Sequence, residues 1–265
     1  MHEVRPAAVA GMFYPEAPER LGRDVRAYLA QAPAAAADAP KAIIVPHAGY
    51  VYSAPIAAAA YAGLAPLRDI VTRVVLLGPA HRVAVRGLAT TGARAFATPL
   101  GDVPIDRDAV ARALEFPQVA VSDAAHAQEH ALEVQLPFLQ EVLRGFSLVP
   151  FAVGHATPRD VAEVVDALWG GPETLVVISS DLSHYHPYGT ARRIDRETAD
   201  AILSMSPTLD HEQACGATPI NGLLVCAARR GLTPSLLDLR NSGDTAGDRT
   251  RVVGYASFAF RGHAS

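Results

Sequence analysis

Five apolar runs of strand length punctuate the chain, at residues 42–45, 74–77, 148–153, 175–178 and 252–260. Most are apolar throughout rather than alternating, the pattern of strands covered on both faces. Between them lie stretches with helical spacing. Residues 19–31 place Leu21, Val25, Tyr28 and Leu29 on one face. Similar patterns run over 55–64, 106–115, 131–143, 159–168, 191–205 and 219–230. Strands alternating with helices predict an α/β fold with a central, largely parallel or mixed sheet flanked by helices. No internal repeat and no Gly-Pro-Ser linker divides the chain, so residues 1–265 read as one domain. The alanine-rich stretch 32–40 reads as the exposed end of an early helix plus a connection.

The composition narrows the setting. Of 265 residues, 50% are hydrophobic and 19% charged, which suits a folded globular chain and excludes a disordered one. The net charge of -4 does not suggest a nucleic-acid surface. No apolar run reaches the roughly 18 residues that a membrane span needs. The first residues lack a basic stretch followed by an apolar one, so no secretory leader is expected. The only cysteines are Cys215 and Cys226, too few for a disulfide framework. A reducing cytoplasm is the natural setting.

Candidate chemistry sits just after the strands. One run leads into Pro46-His47-Ala48-Gly49-Tyr50, a second into Gly78-Pro79-Ala80-His81, a third into Ser179-Ser180-Asp181-Leu182-Ser183-His184. Open α/β sheets bind ligands at the carboxyl ends of their strands. If these strands are neighbours, His47, His81 and the Asp181/His184 pair converge. Two histidines and an anionic ligand would leave open positions on a transition metal. The anion could be Asp181 or the thiolate of Cys215. Thr218 is the expected N-cap and Pro219 the expected first residue of the helix after Cys215. A thiol before a helix N-terminus is expected to have a lowered pKa. Cys226, among Leu223, Leu224 and Val225, reads as core.

Other polar residues carry less signal. Glu129, His130 and Glu133 suggest a carboxylate–histidine pairing, with helix capping and surface pairing as the rival reading. His126, His155, His186 and His211 are expected on the surface or in loops. Ser179, Ser180, Asp181 and His184 include the residue types of a hydrolase triad. They crowd into one segment, however, whereas triad members normally come from separate ones. No phosphate-binding glycine fingerprint, Walker lysine or Gly-x-Ser-x-Gly elbow is present.

Taken together, these segments resemble the Memo-like family, called AmmeMemoRadiSam system protein B in prokaryotes. The resemblance rests on Ala10-Gly11-Met12-Phe13-Tyr14-Pro15, the histidine segments at 47 and 81, and Glu129-His130 with Glu133-Val134-Gln135-Leu136-Pro137-Phe138. It continues through Ser179 to His184, Cys215-Gly216 with Pro219-Ile220, and Ser242-Gly243-Asp244 with Val253-Gly254-Tyr255. It implies the fold of class III extradiol dioxygenases and a metal held by His47, His81 and Cys215. His184 would be the acid/base and Asp181 its orienting or substrate-binding neighbour. The implied metal is ferrous iron first and copper second, with redox or oxygenase-like chemistry. The implied partners are a radical-SAM protein, an AMMECR-type protein and an unidentified small molecule or peptide, without nucleic acid or membrane. Two rivals are a non-catalytic peptide- or protein-binding module, with Tyr14, Tyr50, Tyr52 and Tyr185 lining the same cleft, and a true extradiol ring-opening dioxygenase. Whether the chain is an enzyme stays open at this stage.

Overall fold

The computed structural model describes residues 3–33 and 38–262. Residues 34–37 of the alanine-rich stretch lie outside the described residues. The strands are β1 (Val4–Arg5), β2 (Ala42–Val45), β3 (Arg73–Pro79), β4 (Leu88–Thr90), β5 (Ala95–Thr98) and β6 (Gly101–Pro104). They continue with β7 (Val119–Val121), β8 (Ser147–Val153), β9 (Thr174–Ser179), β10 (His184–His186), β11 (Thr233–Asn241) and β12 (Val252–Arg261). The helices are α1 (Pro18–Gln31), α2 (Tyr50–Tyr61), α3 (Arg107–Ala113) and α4 (Asp123–Ala127). After them come α5 (Leu136–Val142), α6 (Pro158–Ala167), α7 (Tyr188–Leu203) and α8 (Ala217–Arg229).

The five apolar runs are β2, β3, β8, β9 and β12. Among the described residues they build a nine-stranded sheet in the order β10-β12-β2-β9-β3-β8-β4-β7, with β11 on β12. The central four, β2-β9-β3-β8, are parallel, and β12 and β4 join them antiparallel. The sheet is therefore mixed with a parallel heart. Strands β2 and β9 are buried at every position. Helices do the covering. Helix α2, backed by α1 and α5, packs against β2 and β12, while α8, backed by α6, packs against β3 and β9, and α7 lies on β11 and β12. Cys226 is fully buried in α8, with Sγ 3.4 Å from the Ala162 carbonyl of α6. A separate three-stranded sheet, β1-β5-β6, ties the N-terminus to the body. No helix among the described residues is long and apolar enough to cross a membrane.

Three expectations need correction. Helix α8 starts at Ala217 with Gly216 as its N-cap, not at Pro219 with Thr218 as the cap. Pro219 falls in the first turn, where its missing N–H costs no hydrogen bond. A side chain at Gly216 would meet Ser180 Cβ at 2.6 Å, so the close approach of this turn to β9 selects glycine. Glu133 is neither a cap nor a surface partner: it is completely buried. Its carboxylate accepts from the Ala8 amide at 2.7 Å, the Val9 amide at 3.0 Å and the Tyr14 hydroxyl at 2.5 Å, and pairs with buried Arg5. Arg5 also donates to the carbonyls of His126 at 2.8 Å and Glu129 at 2.7 Å. His126, expected outside, is only 1% exposed, with Nε2 2.9 Å from the Ala89 carbonyl.

Two predictions follow from these buried groups. Removing one member of a buried ion pair strands the other charge, so Glu133→Leu should lose about 3–5 kcal/mol in urea unfolding. A loss below about 1 kcal/mol would show the pair to be dispensable. Burial lowers the His126 pKa to about 4, against the upward pull of its bond to Ala89. The folded state thus resists protonation that the unfolded chain accepts. Its contribution to stability is complete above about 6.5 and drains away as the pH falls towards about 4, on the order of 3 kcal/mol. Thermal melts at pH 7 and pH 4.5 should show a shallower acid limb for His126→Gln than for the parent; equal limbs would refute the assignment.

Candidate metal centre

Three adjacent parallel strands, β2, β9 and β3, deliver the polar residues that follow them to one edge of the sheet. After β2, the His47 amide donates to Asp181 Oδ1 at 2.8 Å, which locks the end of β2 to the end of β9. After β3, the His81 amide donates to Glu129 Oε2 at 2.6 Å. A side chain at Gly78 would meet Leu132 at 3.0 Å and Ala131 at 3.2 Å. Glycine there lets the 129–132 segment lie directly over the end of β3.

That segment brings in a histidine the sequence reading had not placed at the site. His47, His81 and His130 each offer a ligand atom, and these atoms all lie within 4.8 Å of one another. The rings of His81 and His130 stack at 4.7 Å, and His47 meets both nearly edge-on. The available signal was the Glu129-His130 pair itself. It was ambiguous because the histidine follows no strand.

Hydrogen bonds fix which imidazole nitrogens are free. Ser179 Oγ sits 2.6 Å from the Ala131 carbonyl, to which its single proton goes, and accepts from Gln135 Nε2 at 2.7 Å. The 2.9 Å contact between His47 Nδ1 and Ser179 Oγ therefore has the imidazole as donor. His47 Nε2 is left with a lone pair. His81 Nδ1 lies 2.9 Å from Glu129 Oε1, an acceptor, so its Nε2 is free in the same way. His130 Nδ1 is buried without a hydrogen-bond partner. It lies 3.3 Å from Glu129 Oε1, off the line of a hydrogen bond.

The electrostatics agree with this picture. Burial lowers His47 to about 3 and His130 to about 4, and the crowding of neighbouring imidazoles acts in the same direction. Both are neutral imidazoles near pH 7. Burial pushes Glu129 up, but the His81 ring and the backbone amides of Ala131 and His81 outweigh it and hold the carboxyl at about 2. An anionic carboxylate thus backs the His81 ring, the usual support of a metal-bound histidine.

Cys215 lies beside this cluster, with Sγ 3.4 Å from His47 Nε2 and 3.6 Å from the Asp181 carbonyl. Its expected low pKa is not found. Burial pushes the thiol up to about 12, with the negative Asp181 adding to it, and the hydrogen bonds around the sulfur do not compensate. The Gly216 amide, at the helix start, donates to Ser180 Oγ at 2.9 Å. Asp181 is buried, and burial raises its pKa. It orients the His47 backbone, and no hydrogen bond joins it to His184 among the described residues. His184, at the start of β10, is half-buried and pairs with Val253 of β12. Tyr14 and Tyr50 do not line a cleft: both are buried, bonded to Glu133 and to the Val134 carbonyl.

A family model described as "Memo-like protein" matches residues 5–259. The chain belongs to the Memo-like family. A MEMO1 family protein of Aquifex aeolicus is 35% identical over 97% of this chain and 99% of its own length. Those of Sulfolobus acidocaldarius and Methanopyrus kandleri are 33% and 34% identical over the same share of this Memo-like chain. Among solved structures, an uncharacterized protein of Escherichia coli K12 superposes with a TM-score of 0.54 at 11% identity. That match covers 82% of this chain and 98% of the other, a likeness of fold alone.

The supporting shell yields a measurable consequence. Glu129→Gln keeps the size but loses the charge behind His81, and Ser179→Ala frees the His47 tautomer. Each should weaken cobalt(II) binding by about 10- to 100-fold in a competition titration. Unchanged affinity in both would mean that these contacts do not prepare a metal site.

Proposed function

We propose that this Memo-like chain is a non-haem metal protein whose ion is held by His47, His81 and Cys215, with His130 beside them. Ferrous iron is the first choice and copper the second. The observation that carries the reading is the convergence of His47, His81 and His130, with the His47 and His81 Nε2 lone pairs left free. The raised thiol pKa supports a ligand role for Cys215 over a free nucleophile or redox sensor. A protonated, buried thiol is unreactive, whereas a coordinated one is deprotonated outright. Imidazole and thiolate together favour iron or copper over magnesium or calcium.

When bound, such an ion supplies one-electron exchange and access to oxygen chemistry. The protein groups do the rest. Glu129 and Ser179 hold two rings in one tautomer. Asp181 fixes the His47 loop. His184, half-buried at the rim, is the group placed to take or give a proton. The binding-module reading loses support, because Tyr14 and Tyr50 are spent in the interior and only Tyr52 and Tyr185 stay exposed. The test is metal content by plasma mass spectrometry after anaerobic purification. Parent protein is expected to carry close to one iron or copper, with His47→Ala and His81→Ala empty and Cys215→Ser strongly depleted. A parent protein that cannot be loaded with ferrous iron or cuprous copper, or alanine variants that keep full stoichiometry, would sink the proposal.

A further inference from the structure

Strand β10 contains an anomaly. Tyr185, between His184 and His186, has φ +62°, in the left-handed region that side chains other than glycine rarely adopt. The pairing of β10 with β12 shifts register at the same place, the mark of a bulge. Together they turn the Tyr185 ring outwards, where it is 62% exposed. Burial is not what holds this strained residue in place, and strain of this kind gathers where a side chain must be aimed.

The ring is aimed at a pocket of about 390 Å³, lined by Tyr52, Tyr185, Tyr255, Asp248 and Arg251 among others. The Arg251 guanidinium lies 5.1 Å over the Tyr185 ring. It forms no ion pair or side-chain hydrogen bond among the described residues. Asp248, the acid in the pocket, is already engaged by the Thr250 amide at 2.7 Å and hydroxyl at 2.6 Å. The guanidinium is therefore oriented by stacking while its donors are free, an arrangement that suits bidentate capture of an oxyanion.

The pocket wall is tied to the segment that carries Asp181 and His184. The Leu182 amide donates to Gly254 and the Gly254 amide to Ser183, both at 2.8 Å, so the start of β12 is stitched to the 181–184 segment. Tyr255 is buried, and after burial itself the groups that most oppose its ionisation are Asp181, Tyr52 and Tyr185. It lines the pocket directly after Gly254, the residue bonded to Leu182 and Ser183. Tyr52 stands in the first turn of α2, five residues after His47.

We infer that this pocket is the recognition subsite of the metal centre, and that it takes a small aromatic anion. The carboxylate or phosphate would sit on Arg251 and the ring against Tyr185 and Tyr52, with the rest reaching towards His47. The inference rests on the metal-protein reading for what happens next, but not for the binding itself.

The probes are benzoate and phenyl phosphate, with neutral benzyl alcohol as the control, titrated by NMR into parent protein, Arg251→Gln, Arg251→Lys and Tyr185→Gly. Metal uptake is measured in parallel on every variant. Expected are binding of at least one anion to the parent, at least tenfold weaker benzyl alcohol, and at least a tenfold loss in Arg251→Gln with partial recovery in Arg251→Lys. Tyr185→Gly should also lose the anion while melting no lower than the parent, because glycine accepts the positive φ. All variants should take up metal as the parent does. Anions that bind Arg251→Gln as well as parent, or bind no better than benzyl alcohol, overturn the inference and leave the metal centre standing. Arg251-dependent anion binding in a protein that takes no metal sustains the subsite and removes the metal reading instead.

Discussion

The guanidinium of Arg5 is the point on which the arrangement turns. It is buried, and it reaches the Glu133 carboxylate and the carbonyls of His126 and Glu129 at once. A buried cation is tolerable only when it is fully paired, so these three partners are fixed as a set. Glu133 in turn gathers residues 8–14 through two amides and a tyrosine hydroxyl. The fixed 126–135 segment then holds three ends of the site. Glu129 sets His81, His130 projects beside it, and Gln135 reaches Ser179 and the Pro46 carbonyl next to His47. A residue of a two-residue strand thus governs the geometry of imidazoles it never touches.

The parts that could be read from the sequence are those where burial leaves a local trace. Strands covered on both faces must be apolar throughout, so β2, β3, β8, β9 and β12 were visible as runs. The histidines and the acid at their ends were visible for the same reason. Strand β11 was not, because it is half-exposed at almost every position and alternates poorly. The roles of Glu133, His126 and His130 were hidden for a different reason. Arg5 lies more than a hundred residues from Glu133 and His126, and His130 meets His47 and His81 from a distant part of the chain, so nothing nearby announces either role. The thiol of Cys215 misled because proximity to a helix start was weighed without the burial that opposes it.

The centre keeps its charges in separate layers. His47 and His130 are neutral, and the negative charge of Glu129 stands behind His81. Cys215 and Asp181 are both held towards their protonated forms by burial. His47, His130 and the thiol can then crowd together without the mutual repulsion that charged groups at these separations would meet.

The span of the centre along the chain has a consequence for biosynthesis. The contact between Cys215 and His47 joins residues 168 positions apart, and β12, which closes the open side of β2, is the last strand to be made. A ribosome that has released the first two hundred residues has already exposed all three clustered histidines, but neither the thiol nor the strand that shields their edge. During that interval the half-built chain presents imidazoles without a pocket, open to whatever ion is most abundant. A site that joins the thiol to the histidines is therefore complete only after Cys215 has been made and folded back onto His47.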